Sequence, residues 1–309
     1  MGSSAHRRAP RARAPRAAAG AYDRARAELY WGEERLQLGD EFRIVLSAGE
    51  APYVNAAYHR WETGTLVRAL GAARGARVLD LACGLGRVGR VLAARGARVV
   101  GVDNAGAMLR AARRSLRGVR GPAARRARWA QAVSDRLPFA DASFDAVVCF
   151  GILEHLPRRL QRGTLAEALR VLAPGGCLYL VVNNNHSLLL RSGEDNRYRR
   201  AEQLPNGYFC GLVDRRSLAA ELERTGARVE PLGSNAHYSL LRHSLRGRVS
   251  GRGERAEAAR AFAEATERDL AENRQGWLGE ACADHFLYRV RRPGSRRAAS
   301  ARRVSGPRR

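Results

Sequence analysis

Hydrophobic and polar positions along this chain follow two rhythms, and the switch between them recurs from residue 76 to residue 291. Short apolar runs predict buried strands over residues 76–82, 98–103, 127–133, 143–150, 177–182, 228–232 and 284–291. Between them lie stretches with helical spacing. In residues 86–95, Val88, Val91 and Leu92 share one face and Arg87, Arg90 and Arg95 take the other. Further helices are predicted over 53–70, 105–116 and 159–172, the last with Leu165, Leu169 and Leu172 in register. Asp214 is placed to cap a helix over 215–225 that Gly226 closes. Strand–helix alternation of this kind predicts an α/β fold, with a doubly wound, mostly parallel seven-stranded sheet covered by helices on both faces. The sheet domain spans residues 76–290, preceded by a helical cap segment over 21–75. Two insertions interrupt it, over 183–213 and over 234–281, the second with one helix at 254–273; both are expected to form a lid.

The first strand–turn–helix–strand unit carries the chemistry. Val78-Leu79-Asp80-Leu81-Ala82-Cys83-Gly84-Leu85-Gly86-Arg87-Val88-Gly89 is an apolar strand running into a glycine-rich turn, and Val99-Val100-Gly101-Val102-Asp103 is a second strand that ends on a carboxylate. Gly84 and Gly86 allow a tight turn and close approach of a ligand. Asp103 falls 19 residues after Gly84, where a ribose hydroxyl pair needs an acceptor. The Gly84-x-Gly86-x-x-Gly89 spacing alone fits either a nicotinamide or flavin dinucleotide or S-adenosylmethionine.

Two later blocks separate these readings. Leu137-Pro138-Phe139-Ala140-Asp141-Ala142-Ser143-Phe144-Asp145 precedes the fourth strand, and Arg170-Val171-Leu172-Ala173-Pro174-Gly175-Gly176 leads into the fifth. With the glycine loop, and in this order, they resemble the class I S-adenosylmethionine-dependent methyltransferases of small molecules, over about Tyr53 to Val182. The resemblance implies a Rossmann-like sheet, S-adenosyl-L-methionine as cofactor, and methyl transfer to an O, N or C atom of a small acceptor by in-line displacement. It also implies that Asp80 and the backbone of Ala82, Gly84 and Gly86 hold the methionyl part, and that Asp103 takes the ribose hydroxyls. Asn104, Met108 and Phe150 would flank the adenosyl group. Ala82 stands where the family has its first loop glycine, a replacement that an unstrained turn tolerates. Val133 stands where the family carries an acid, so adenine recognition is expected from the backbone at Val133–Ser134 or from Asp135.

The segment after the fourth strand, Gly151-Ile152-Leu153-Glu154-His155-Leu156-Pro157, supplies the candidate catalytic groups. His155 is the candidate general base for an oxygen acceptor, with Glu154 beside it. His186, Tyr198, Tyr208, Phe209, His237 and Tyr238 in the insertions, with Trp31, Tyr53, Tyr58, His59 and Trp61 before the sheet, are candidates for the acceptor pocket. No metal site is expected, since the five cysteines show no ligand spacing.

Charge alters the picture little. The 309 residues carry a formal +25, and every one of the 55 basic residues is arginine. Residues 1–20 hold five arginines and residues 291–309 hold eight, with no acid in either, so 13 of the 25 net charges sit in tails that read as disordered. Those tails keep an RNA or protein methyltransferase as the alternative, with an NAD(P)-dependent oxidoreductase second. No apolar leader and no membrane span is read, so a cytoplasmic protein is expected; the oligomeric state is left open.

Overall fold

The computed structural model describes residues 22–117, 126–192, 202–211, 213–272 and 276–293. Tyr198, the N-terminal tail and all but the first three residues of the C-terminal one lie outside the described residues.

Seven strands form one sheet: β1 (Arg77–Leu81), β2 (Arg98–Asp103), β3 (Ala127–Gln131), β4 (Phe144–Cys149), β5 (Leu172–Asn183), β8 (Arg228–Ser234) and β9 (His285–Arg291). Two short strands, β6 (Glu202–Gln203) and β7 (Phe209–Cys210), pair as a separate hairpin inside the first insertion. The sheet order is β3-β2-β1-β4-β5-β9-β8, parallel from β3 to β5, with β9 antiparallel to both of its neighbours. The order reverses direction at β1, between β2 and β4. In an open parallel sheet that reversal opens a crevice beyond the carboxyl ends of the strands.

The helices are α1 (Arg24–Leu29), α2 (Glu41–Val45), α3 (Pro52–Leu70), α4 (Arg87–Ala94), α5 (Gly106–Arg117), α6 (Arg158–Val171), α7 (Leu188–Ser192), α8 (Arg215–Glu223), α9 (Ala236–Leu245), α10 (Arg252–Glu272) and α11 (Trp277–Cys282). Pro52 opens α3 at its first turn, where a missing N–H is harmless. Asp214 caps α8, accepting from the Ser217 N–H at 2.7 Å.

Apolar side chains alternate along each strand, so each face of the sheet builds its own core. One face packs Leu79, Val147 and Leu178 against Leu165 and Ala168 of α6 and Leu218 and Leu222 of α8. The other packs Val78, Val99, Val148 and Leu287 against Trp61 and Leu66 of α3, Leu92 of α4 and Leu109 of α5. The second insertion contains three helices, not one. Its α10 buries Ala258, Phe262 and Ala265 and packs on α3. That placement thickens the α3 layer. None of the described residues lining the cleft beyond β1 and β4 comes from either insertion.

One expectation about α4 needs correction. Arg87 does not share the solvent face with Arg90; it is buried and ion-paired to Glu62 of α3, itself 1% exposed. An arginine counted as polar by period alone here turns inward, because a buried carboxylate on another helix meets it.

Candidate active site

The cleft beyond β1, β2 and β4 holds about 1050 Å3 of space, its open mouth included. Its walls include Asp80, Leu81, Ala82, Cys83 and Gly84 from β1 and its turn, Asp103, Asn104 and Met108 after β2, Val133, Ser134 and Asp135 after β3, and Phe150 with His155 after β4. The residues that sequence reasoning assigned to the cofactor therefore converge on one crevice, apart from Gly86.

Two carboxylates stand at its floor. Asp80 is 4% exposed, and its Oδ2 accepts the Gly89 N–H of α4 at 2.9 Å. Burial pushes its pKa up to about 7, with the nearby Asp103 adding to the rise. Asp103 accepts the Gly84 N–H on Oδ2 and the Ala105 N–H on Oδ1, each at 2.9 Å. It thus ties the β1 turn to the end of β2. Burial also raises its pKa, against the pull of those backbone donors. Each carboxylate oxygen offers about two lone pairs, so both groups keep acceptor capacity for a ligand.

The turn is strained where the sequence suggested ease. Ala82 sits at φ +57°, in the left-handed region that disfavours a Cβ. Gly86 does not line the cleft; it precedes α4 at φ +73°, and a Cβ there would lie 2.4 Å from the Trp129 ring. Gly89 and Gly101 face the same indole, at 3.0 and 2.2 Å from their would-be Cβ atoms. Gly86, read as serving a ligand, thus makes room for a β3 tryptophan, as do Gly89 and Gly101. Nothing local marks Trp129 as their partner, since it follows Gly86 by more than forty residues.

At the adenine end one of the two expected contacts, the Asp135 carboxylate, is engaged within the chain. Arg24 of α1 grips Asp135 with two parallel hydrogen bonds of 2.9 and 3.1 Å, and its guanidinium lowers the Asp135 pKa against the opposing effect of burial. Ser134 Oγ is 2.8 Å from Thr164 Oγ1 of α6. Both side chains are already engaged. A wall that sequence reasoning left partly open is completed by the N-terminal segment, through Tyr22, Arg24, Ala27, Trp31 and Val45. Buried Arg35 fixes that segment by donating from Nε to the Ile44 carbonyl at 2.7 Å and from a terminal nitrogen to that of Leu46, also at 2.7 Å.

His155 and Glu154 part company. They sit on a tight three-residue turn, Leu153–His155, where successive side chains diverge by about 120°. His155 lines the cleft and packs on the rings of Trp31, at 4.9 Å, and Tyr208, at 5.2 Å, which also pack on each other. Its Nδ1 lies 3.0 Å from the Phe209 carbonyl, which can only accept; the proton sits on Nδ1, and in the neutral ring Nε2 keeps a lone pair. Glu154 does not line the cleft. Its charge is felt instead by Tyr58, Cys149 and His285.

Of the remaining candidates, Tyr208 and Phe209 pack on the N-terminal aromatics, with Phe209 and Tyr22 edge to face at 5.6 Å. His186 and His237 face Asp214 and Asp269 at 3.2 and 3.0 Å. Tyr53 and Tyr238 pack on Phe262, and Tyr58 packs on Trp61. His59 is bound to Arg87, and burial drives its pKa down to about 3, so it stays neutral. Among the described residues no group of three His, Cys, Asp or Glu side chains gathers to hold a metal ion, and no helix is long and apolar enough to cross a membrane.

Residues 78–176 match a methyltransferase domain family. The chain is 32% identical over 182 residues to the ubiquinone biosynthesis O-methyltransferase of Xanthomonas oryzae pv. oryzae, covering 58% of this chain and 73% of that enzyme. The chain belongs to the class I S-adenosylmethionine-dependent methyltransferases. It is also 43% identical over 117 residues to the demethylmenaquinone methyltransferase of Clavibacter sepedonicus, which spans 38% of this chain but only 44% of that enzyme. The fold of this methyltransferase is shared with magnesium protoporphyrin IX methyltransferase of Synechocystis PCC 6803, solved with bound S-adenosylhomocysteine. The TM-score is 0.58 at 15% identity, over 87% of this chain and all of that one. The [4+2]-cyclase SpnF shares it too, with a TM-score of 0.55 at 21% identity over 87% of this chain and 95% of that one. S-adenosylmethionine is the cofactor of this family, and the cleft suits it. Two buried carboxylates with spare acceptor capacity meet a ligand rich in ammonium and hydroxyl donors, while Met108, Phe150 and Trp31 give apolar surface.

Proposed function

We propose that the protein methylates a small-molecule acceptor with S-adenosylmethionine, and that the crevice beyond β1, β2 and β4 holds the cofactor. The observation that carries this reading is the Asp80–Asp103 pair at the floor of that crevice, one carboxylate buried beneath the β1 turn and the other spanning from that turn to the end of β2. When bound, the cofactor supplies an electrophilic methyl group on a sulfonium. Asp80 would face its ammonium and Asp103 its ribose hydroxyls. Asn104 and Met108 would border the adenine, and the backbone at Val133–Ser134 would read its edge, since the Asp135 and Ser134 side chains are committed elsewhere.

Methyl transfer asks the protein chiefly to align the acceptor and exclude water. Trp31 and Tyr208 pack on His155 and on each other, which supports a lid that the N-terminal segment forms over the cleft and the first insertion braces. His155 offers its Nε2 lone pair toward the cleft and would take the proton of a hydroxyl acceptor. A cytoplasmic setting is part of this reading, on the scattered spacing of the five cysteines.

Calorimetric titration tests the reading. S-adenosylhomocysteine is expected to bind and NAD(P)H is not; the opposite outcome would remove it. Replacing His155 with Ala is expected to lower turnover far more than cofactor affinity, and full activity would leave His155 as packing alone.

A further inference from the structure

A second polar cluster lies at the same carboxyl edge of the sheet, outside the residues that line the cleft, where β5 ends and β9 begins. Asn183 and His285 are direct partners in the antiparallel β5–β9 ladder. Opposite residues in such a ladder share a face, with Cβ atoms about 5 Å apart. The neighbouring pair on that face, Val181 and Leu287, belongs to the core beneath α3. Tyr58 of α3 covers His285, ring to ring at 5.0 Å. β5 runs beside β4, whose following turn carries Glu154 and His155, and the Glu154 charge acts on both Tyr58 and His285.

The hydrogen bonds assign each group a role. Asn235 Oδ1 accepts from the His285 backbone N–H at 2.9 Å and from Ser239 Oγ at 3.2 Å. Its amide nitrogen must then be the atom 3.3 Å from His285 Nδ1, and an amide nitrogen only donates. His285 Nδ1 is therefore an acceptor, and the neutral ring carries its proton on Nε2. Among the described residues nothing holds that Nε2–H. Asn183 is 6% exposed, and its Oδ1 has no hydrogen-bond partner among the described residues. A buried orphan acceptor of this kind costs roughly 1–3 kcal/mol unless something fills it.

We propose that Asn183 and His285 form the acceptor subsite of this enzyme and read a neutral hydroxyl group of the acceptor, next to the one that His155 would deprotonate. The inference rests on the methyltransferase reading and names its substrate class. A hydroxyl both accepts and donates, so it satisfies the His285 Nε2–H and the Asn183 Oδ1 together. An ammonium brings donors only and leaves it facing a ring N–H. A carboxylate brings acceptors only and meets the Asn183 oxygen lone pair against lone pair, with the Glu154 charge nearby. The aromatic ring of Tyr58 on the same face favours a ring-bearing hydroxyl over an aliphatic one.

Three probes with one ring and different head groups test this: phenol, benzylamine and benzoate, each titrated by ligand-observed NMR into the full chain saturated with S-adenosylhomocysteine. Phenol is expected to bind at least tenfold tighter than the other two. His285→Ala and Asn183→Leu should each weaken phenol at least tenfold while S-adenosylhomocysteine affinity stays within twofold. His285→Gln, which restores an N–H donor, should recover most of the loss and guards against a variant that fails to fold. Equal binding of the three probes by the unaltered protein, or phenol affinity unchanged in His285→Ala, would overturn the proposal. If S-adenosylhomocysteine itself did not bind, the methyltransferase reading would fail, and the probe preference would still be read on the unloaded protein.

Discussion

Asp80 holds two properties in opposition, and replacing it with Asn separates them. Its carboxyl titrates at about 7 when folded, against 3.8 for the free side chain. Between those values the folded protein keeps a proton that the unfolded chain has released. Stability therefore falls as pH rises through that window and levels off above it. At 1.36 kcal/mol for each unit, the disadvantage is about 2 kcal/mol at pH 5.5 and about 4 kcal/mol at pH 8. The amide introduced by Asp80→Asn keeps an oxygen for the Gly89 N–H and does not titrate. The stability of Asp80→Asn relative to the unaltered protein should thus rise by about 2 kcal/mol from pH 5.5 to pH 8.

Binding should move the other way. An ammonium facing Asp80 needs the ionised form, so affinity for S-adenosylhomocysteine should strengthen about tenfold from pH 5.5 to 7 in the unaltered protein and stay flat in the variant. At pH 8 the variant should bind more weakly by about 1.5–3 kcal/mol, the worth of a charged hydrogen bond. Urea unfolding at both pH values and calorimetric titration across the range read the two effects separately. A stability difference that does not grow with pH, or a variant whose affinity keeps the same pH slope, would refute the reasoning.

Two further positions and one neighbour probe the same turn. Asp103→Ala should weaken S-adenosylhomocysteine binding by about 1.5–3 kcal/mol, measured by calorimetry, because a ribose acceptor and the anchor of the Gly84 and Ala105 amides go together; unchanged affinity would place the ribose elsewhere. Ala82→Gly should raise the urea midpoint, by about 0.5–1 kcal/mol of stability, since it relieves a left-handed alanine. Gly86→Ala should lower it by about 2 kcal/mol or more, as its Cβ would collide with Trp129.

Much of the fold was legible because the strands are buried on both faces and announce themselves as apolar runs. The observed bounds of β2 match the sequence reading, and those of β4 differ by one residue at each end. Contacts between distant segments were not legible. The period of α4 placed Arg87 outward, and Glu62 and His59, 25 and 28 residues earlier on α3, bring it in. Asp135 looked available for adenine until Arg24, 111 residues away, closed on it. Of the glycines in that spacing, Gly84 lines the cleft as read, while Gly86 and Gly89 make room for Trp129. A missing Cβ says that something comes close, and Trp129 is as good a reason as a ligand.

The two histidines at the carboxyl edge show where sequence reasoning must stop. His155 was singled out for its place after β4, and His285 passed as one residue of the last strand. Residue type cannot rank them, because an imidazole is a donor or an acceptor according to what its other nitrogen touches. A carbonyl at His155 Nδ1 leaves a lone pair on Nε2. An amide nitrogen at His285 Nδ1 leaves a proton there. In the proposed reaction the first ring would receive the proton of the methylated hydroxyl, and the second would hold a neighbouring oxygen in place. That division of labour comes from Phe209 and Asn235, two residues with no motif of their own.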